Sequence, residues 1–328
     1  MGSNLKVKVN IHVFHFLFQL KGEFTFKMAE VFMVKTSNRI SGVKKLLKRI
    51  GLSNYAGKNV ALKANFNSAD PFPASTHPET LRAIIEILKD VKVKGITLAE
   101  RSGMGATRQV LEWMGIFKLS EQLNFEVVVL DELSKEQWFK VNHEGTHWLR
   151  GFYIAKLFLD VDKVIQTCCL KTHRFGGHFT MSLKNSVGLI AKRIPGSLYD
   201  YMWELHISPF QRQMIAEINK FYPVNLVIMD ATKAFVSGGP EQGEVVSPNL
   251  LLASEDRVAI DAVGVAILRM YNATGHVAKG SIFELDQIRR AAEISVGVKT
   301  AGEIHLKPLD EESRKVANKI ENILRSED

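Results

Sequence analysis

Cysteine is scarce in this 328-residue chain, which contains only Cys168 and Cys169. Two adjacent cysteines cannot build a disulfide framework, so we expect a protein of a reducing compartment, the cytoplasm. A cysteine-ligated iron–sulfur cluster needs about four thiolates. We therefore expect no intrinsic iron–sulfur cluster, and the sequence leaves any other cofactor unknown.

Long apolar runs are also missing. The run IHVFHFLFQL near the amino terminus has only ten residues, whereas a membrane-spanning helix needs about 20. No small-residue cleavage site of a signal peptide follows it. We expect no membrane span, and we interpret residues 1–27 as an N-terminal extension or an upstream start before Met28.

Acidic residues are outnumbered, since 43 lysines and arginines face 35 aspartates and glutamates, for a net charge of +8. This excess suits a small anionic partner. The basic residues are scattered, without a basic arm, zinc-finger spacing or an aromatic RNA-binding signature. We therefore do not expect nucleic acid as a partner, and the oligomeric state stays open.

Short strand-like runs alternate with amphipathic helical runs from residue 60 onward. The strand-like runs are VALKANF (60–66), GITLAE (95–100) and FEVVVL (125–130), with further apolar runs at 161–170, 224–231 and 249–254. Strands separated by helices pair in parallel. The pattern predicts an α/β fold with a largely parallel or mixed sheet flanked by helices. We assign residues 28–308 to one α/β domain and 309–328 to a C-terminal helix.

The helix between the first two strands shows an apolar face at Leu81, Ile84, Ile85 and Leu88. Thr76 and Glu79 before it have the spacing of a capping box. Ligands of such sheets bind beyond the carboxyl ends of the strands. We therefore expect the loops after residues 66, 100, 170, 231 and 254 to hold the site.

The segment CCLKTHRFGGHFTMSLKN (168–185) carries the strongest signal. Lys171 and His173 follow a buried run, and Lys184 with Asn185 closes the segment. Two lysines can hold an anion, and a histidine can move a proton near neutral pH. We predict Lys171, His173, Lys184 and Asp261 as the catalytic set.

Two other interpretations of the segment stay open. His173 and His178 could bind a metal ion with one cysteine, Cys169 being the candidate, because neighbouring strand residues face opposite sides. The segment could instead be a cationic turn with buried structural cysteines.

Polar residues in the other loops complete the predicted site. Lys63 lies in an apolar strand, where an uncompensated charge is costly, so it faces a pocket or a carboxylate unless the strand is an edge strand with Lys63 outside. Gly103 and Gly105 precede a helix start, where free backbone N–H groups favour an anion, although a plain strand-to-helix turn is the stronger interpretation. Asp256 has the position of a helix cap, whereas Asp261 lies one turn further in, as a partner for a lysine or as a metal or base residue. The predicted ligand-binding residues are Lys63, Asn65, Gly103, Gly105, Asn185 and Asp230.

Several ordered motifs resemble the DUF362 family, which is named for its unknown function. The motifs are VKTSNRISGVKKLL, LKANFNSADPFPASTHPET, AERSGMGAT, LKTH with SLKNSVG, MDATKAFVSGGPEQGE and LLASEDRVAIDAVG, within about residues 31–308. Many members of the family carry a ferredoxin-like iron–sulfur segment. This chain departs from them, since it has no CxxCxxC, which speaks against an intrinsic electron-transfer role. The lysine and histidine loop also resembles that of the nickel-pincer lactate racemase group, whose cofactor we do not carry over.

The leading hypothesis is an enzyme that binds a small anionic substrate or cofactor through the Lys/His loop and performs acid–base or metal-assisted chemistry. The alternative is a non-catalytic partner of iron–sulfur or redox proteins.

Overall fold

A computed structural model describes residues 28–175 and 178–326. The predicted extension at 1–27 lies outside the described residues, as does the glycine pair at 176–177. The strands are β1 (Ala29–Lys35), β2 (Asn59–Lys63), β3 (Gly95–Glu100), β4 (Glu126–Val129), β5 (Trp138–Val141), β6 (Phe152–Ala155), β7 (Lys163–His173), β8 (His178–Phe179), β9 (Leu226–Gly238), β10 (Gly243–Val246), β11 (Leu250–Ser254) and β12 (Ile304–Pro308).

Helices cover the sheet. They are α1 (Arg39–Ile50), α2 (Pro78–Asp90), α3 (Thr107–Trp113), α4 (Ile116–Leu123), α5 (Leu157–Asp160), α6 (Ser182–Asn185), α7 (Tyr201–Ile207), α8 (Gln211–Ile218), α9 (Arg257–Met270), α10 (Asp286–Glu293) and α11 (Glu311–Arg325). The predicted α/β class is thereby confirmed.

The main sheet is mixed, with the strand order β12-β1-β11-β9-β7-β2-β3-β4. β9, β7, β2, β3 and β4 run parallel to one another. β11 is antiparallel to both β9 and β1, which makes β1 parallel to β9. The carboxyl ends of β2, β3 and β7 therefore lie at the same edge of the sheet, as predicted.

Each face of the sheet has its own core. Met229 packs with α9 on one face, and Ile228 packs with residues of α1 and α2 on the other. Neighbouring strand residues point to opposite faces, so an apolar run without alternation predicts burial on both sides. α9 is buried almost all round, in agreement with its apolar sequence.

Three local predictions were wrong. The loop after 254 lies at the opposite edge, because β11 runs against β9. β7 extends to His173, so Lys171 and His173 belong to the strand rather than to a following loop. β9 likewise continues past residue 231 to Gly238, held there by pairing with β10.

The capping-box prediction for α2 was also wrong. The N-cap is His77, whose Nδ1 accepts from the backbone N–H of Glu79 at 3.2 Å. Pro78 fits the first helical position because it has no N–H to satisfy. The hydroxyl of Thr76 instead accepts from the backbone N–H of Asn65 at 2.9 Å.

Among the residues that the structure describes, no helix is both long enough and apolar enough to cross a membrane.

Asp256 is the predicted N-cap of α9, and the structure confirms it. Its Oδ1 accepts from the N–H groups of Val258 and Ala259 at 2.8 Å, and its Oδ2 accepts from the N–H of Val298 at 2.9 Å. One carboxylate therefore joins the start of α9 to the segment before β12.

Replacing Asp256 with alanine should lower the free energy of unfolding by about 1–2 kcal/mol, because loss of an N-cap leaves helix N–H groups unsatisfied. Asp256→Asn should lose less, because its side-chain oxygen can still cap the helix. Urea unfolding monitored by circular dichroism measures both. Unchanged stability in Asp256→Ala would contradict the capping role.

Candidate functional site

A pocket opens where β2, β3 and β7 end. Its cavity volume is about 40 Å³, which at about 10–15 Å³ per water molecule leaves room for roughly three water molecules. The lining residues are Lys63, Asn65, Phe66, Asn67, Glu100, Arg101, Lys171, Thr180, Lys184, Asn185, Val187, Gly188 and Pro240. Four of them are cationic, and one, Glu100, is a carboxylate.

Glu100 and Lys63 form a buried ion pair on the floor of the pocket. Lys63 Nζ lies 2.5 Å from Glu100 Oε1, and each side chain is 1% exposed. Lys63 also donates to the Ala64 carbonyl at 2.6 Å and to Asn185 Oδ1 at 3.2 Å. Glu100 accepts the backbone N–H groups of Phe66 and Arg101 at 3.1 and 2.9 Å. The charge of Glu100 is therefore fully engaged.

Burial acts on both members of this pair. It raises the pKa of Glu100 and lowers the pKa of Lys63, because a low-dielectric site disfavours either charge. The ion pair and the hydrogen bonds oppose both shifts. Since each charged group has three partners, the geometry favours the doubly ionised state.

Gly188 lets this pair fit. A Cβ atom at residue 188 would lie 2.8 Å from Lys63 Nζ and 2.9 Å from Glu100 Oε1. Any larger residue would therefore push into the ion pair.

Arg101 closes one wall of the pocket. Its guanidinium is buried and donates to the carbonyls of Val187 and Ile190. Among the described residues, no carboxylate comes within ion-pair distance of it. Arg101 therefore fixes the segment after α6 and adds an unneutralised positive charge.

Lys171 supplies a second positive charge from β7. Its side chain is buried, and Nζ donates to the Ala74 carbonyl. Burial lowers its pKa. A carbonyl neutralises no charge, so Lys171 can also serve an anion.

Lys184 differs from the other lysines of the pocket. It is partly exposed on α6, and in the described part of the chain Nζ has no hydrogen-bond or ion-pair partner. Burial, followed by the charges of Arg212, Lys171 and Arg101, lowers its pKa to about 7. Lys184 therefore exchanges a proton near neutral pH.

His173 lies beside the pocket, outside its lining. Burial and then the charge of Lys184, with further cations, lower its pKa to about 2. Its Nδ1 accepts from the N–H of Phe175 at 3.3 Å, which leaves the ring proton on Nε2. The imidazole is neutral at physiological pH and offers one donor.

Two predicted amides occupy defined positions. Asn185 Nδ2 donates to the carbonyls of Lys63 and Thr167, so Asn185 ties α6 to β2 and β7. Asn65 Nδ2 donates to the Ala74 carbonyl at 2.9 Å and lies 3.6 Å from Cys169 Sγ. Both side chains shape the pocket through backbone contacts.

The pocket thus brings together Lys63, Asn65, Lys171, Lys184 and Asn185, and the remaining predicted site residues lie elsewhere. Asp230 accepts from Arg39 Nε at 2.8 Å and from Thr80 Oγ1 at 2.6 Å. Asp261 accepts the N–H groups of Ser182 and Leu183 at 2.8 and 2.9 Å, and burial raises its pKa to about 7.

The loop glycines are not in the lining either. A Cβ at Gly103 would lie 2.2 Å from Asn67 Oδ1, so Gly103 allows close packing against Asn67. Gly105 has φ +86°, in the left-handed region that favours glycine. The loop closes further through the N–H of Met104, which donates to the Asn67 carbonyl at 2.8 Å.

The metal candidates do not assemble into a three-ligand group, although His178 on β8 pairs with His173 on β7. His178 stacks on His276 with ring centroids 4.7 Å apart, and burial lowers its pKa to about 4. Cys169 is buried, and burial raises its pKa. Within the described ranges, no group of three or more histidine, cysteine, aspartate or glutamate side chains could hold a metal ion.

Residues 60–266 match the family described as Domain of unknown function (DUF362). The chain belongs to the DUF362 family. It is 26% identical over 243 residues to a thylakoid-associated protein of Synechocystis sp., covering 72% of this chain and 71% of that protein. It is also similar to the lactate racemase apoprotein of Thermoanaerobacterium thermosaccharolyticum, over 93% of both chains at a TM-score of 0.45 and 14% identity.

Sequence reasoning missed eight lining residues of this DUF362 pocket, and three of them, Glu100, Arg101 and Gly188, shape its electrostatics. A signal was present for two of them, because Glu100 and Arg101 end an apolar strand with adjacent opposite charges. Charged residues are rarely buried unless paired, so such a strand end indicates a partner. Gly188 gave no comparable signal, since its need follows from a side chain far away in sequence.

Replacing Gly188 with alanine should lower the free energy of unfolding by about 1–3 kcal/mol, the usual range for overpacking a tight site. Gly302→Ala is a matched control, because the nearest atom to its added Cβ is 3.7 Å away. Urea unfolding of both variants measures the difference. A loss in Gly188→Ala no larger than in Gly302→Ala would show that the ion pair moves aside without strain.

Proposed function

We propose that this protein is an enzyme that binds a small anionic substrate or cofactor in the pocket and performs acid–base chemistry there. The observation that carries the proposal is the charge of the lining. Of its four cations, only Lys63 has a carboxylate partner, and Glu100 is occupied by Lys63 and two backbone N–H groups. An anion would neutralise the charges that the protein leaves unpaired.

The roles follow from the surroundings of each cation. Lys171 and Arg101 supply fixed positive charge from the ends of β7 and β3. Lys184 supplies the mobile proton, since its pKa of about 7 lies near physiological pH, where a general acid or base is most effective. The cavity fits a group of a few atoms, such as a carboxylate.

His173 takes a different part from the one expected from the sequence. With a pKa of about 2 the imidazole does not gain a proton near pH 7. We propose that it stays neutral and donates a hydrogen bond through Nε2. Proton exchange then belongs to Lys184.

In this proposal Asp261 and Asp230 do not contact the bound anion, since neither lines the pocket. Asp261 holds the start of α6, which carries Lys184, by accepting two backbone N–H groups. Asp230 ties β9 to Arg39 and Thr80. Both are positioning residues.

A metal-assisted reaction and a role as a partner of redox proteins are the weaker candidates. The first would need ligands beyond those grouped in the described ranges. The second would need a docking surface rather than a cationic pocket, and the pocket is the better-defined feature. The cytoplasmic location stays a prediction.

Lys171→Met and Lys184→Met should each weaken sulfate binding roughly tenfold to a hundredfold, because a hydrogen bond to a charged group contributes about 1.5–3 kcal/mol. Isothermal titration calorimetry at constant ionic strength measures the affinity. Lys118→Met is the control, since Lys118 is exposed on α4 away from the pocket lining. Unchanged affinity in both pocket variants would contradict the anion site.

Sulfate affinity should also fall as the pH rises through about 7, because only the ammonium form of Lys184 attracts an anion. One proton linked to binding gives a slope of at most about tenfold per pH unit. Sulfate does not titrate between about pH 6 and 9, so any pH dependence of binding in this range comes from the protein. Lys184→Met should lose this dependence, whereas Lys171→Met should retain it. The same pH dependence in Lys184→Met would assign the titration to another group.

A further inference from the structure

The amino group of Lys184 has surroundings that anion binding alone does not explain. Lys184 belongs to α6, and Asp261 fixes one end of this helix by accepting the N–H groups of Ser182 and Leu183. At the other end Asn185 is bonded to β2 and β7. The backbone is therefore held firmly while Nζ lies at the pocket without a partner in the described ranges.

The charges that act on this amino group are those of Arg212, Lys171 and Arg101. α9 also packs against α6, where its Asp261 carboxyl group accepts the backbone N–H groups of Ser182 and Leu183. Lys171 and the neutral His173 belong to β7, Arg101 follows β3, and Arg212 lies on α8. The carboxylate of Glu100 is taken by Lys63. Arg212 is 6% exposed, its Nη1 has no hydrogen-bond partner, and its Nη2 donates to the Phe175 carbonyl at 3.4 Å. Asp286 acts on Arg212 from a distance, but no carboxylate of the described residues lies within ion-pair distance of it, so the charge of Arg212 still acts on Lys184.

A lysine beside other cations is readily deprotonated, and a neutral amine is a nucleophile toward carbonyl carbon. The pKa of about 7, lowered by burial and then by these cations, agrees with this arrangement. A carbonyl compound with an anionic group would find its charge complement in the same cavity.

We propose that Lys184 forms an imine with a small anionic aldehyde or ketone, a 2-oxo acid, whose carboxylate is held by Lys171 and Arg101. This inference rests on the proposed anion site and names its substrate class. The cavity admits a compound of this class only if it is short, which favours the smallest 2-oxo acids.

The chemistry needs no oxidant or reductant. The lone pair of Nζ forms a bond to the carbonyl carbon, and the carbonyl oxygen takes up a proton to give a carbinolamine. The nitrogen then forms its second bond to carbon while the hydroxyl leaves as water with one more proton. The two hydrogens of the amine balance those of the water released.

Glyoxylate with sodium cyanoborohydride tests the proposal, because the reductant converts an imine into a stable secondary amine. Peptide mass spectrometry of the wild-type protein should find one adduct per chain, at Lys184, formed at least tenfold faster than at the exposed Lys118. Acetaldehyde, which carries no charge, should react at Lys184 at least tenfold more slowly than glyoxylate.

Lys184→Arg separates the inference from the proposed function. Arginine keeps the positive charge but forms no imine under these conditions, so the variant should still bind sulfate while losing the adduct. Sulfate binding that depends on Lys171, together with no preferred adduct at Lys184, would overturn the imine and leave the anion site standing. Equal rates for glyoxylate and acetaldehyde would overturn the assignment of a 2-oxo acid.

Arg212→Met gives a second measurement. Removing this charge should raise the pKa of Lys184, so the pH at half-maximal adduct formation should move upward while the rate at high pH is kept. Arg212 is thereby assigned as a positioning residue. An unchanged pH profile would contradict that assignment, and a uniform loss of rate at every pH would indicate a merely structural role.

Discussion

A carboxylate buried at the end of a strand needs a positively charged partner, and Lys63 is that partner for Glu100. Glu100 ends β3 and Lys63 ends β2, so their contact joins two neighbouring strands at the point where the pocket begins. The same contact uses up the lining's carboxylate. The other cations of the lining donate to carbonyl oxygens or have no partner in the described ranges. The pocket is therefore positive because its carboxylate is paired with Lys63.

The topology explains why cations from distant parts of the chain meet there. Parallel strands end at the same edge, and β2, β3 and β7 are adjacent in the sheet. α6 returns to this edge after the β7–β8 turn, which brings Lys184 opposite Lys171. Gly188 follows within the same return and leaves the space that the ion pair occupies. The site is thus a consequence of three strand ends and one short helix, each fixed by backbone hydrogen bonds rather than by a flexible loop.

Much of this could be predicted from the sequence. The alternation of strand and helix patterns gave the α/β class, and the rule on strand ends placed Lys63, Asn65, Lys171, Lys184 and Asn185 near one another. What failed depended on partners remote in the chain. The direction of β11 is set by its pairing with β9 and β1. The carboxylate of Asp230 is taken by Arg39, which lies 191 residues away. No local sequence pattern predicts the direction of β11 or the partner of Asp230, because both depend on residues that come into contact only when the sheet assembles.

The lysines of the pocket show how one residue type obtains different properties from its surroundings. Lys63 has a carboxylate, a carbonyl and an amide oxygen around its ammonium group, which together favour the charged form. Burial of its ammonium group favours the neutral amine of Lys184, and so do the nearby cations and the lack of such acceptors in the described ranges. Two titratable groups whose environments push their pKa values apart can take separate roles in a reaction. In this pocket the paired lysine is a permanent structural charge and the unpaired one is available for chemistry, so the assignment of roles depends on which lysine Glu100 reaches.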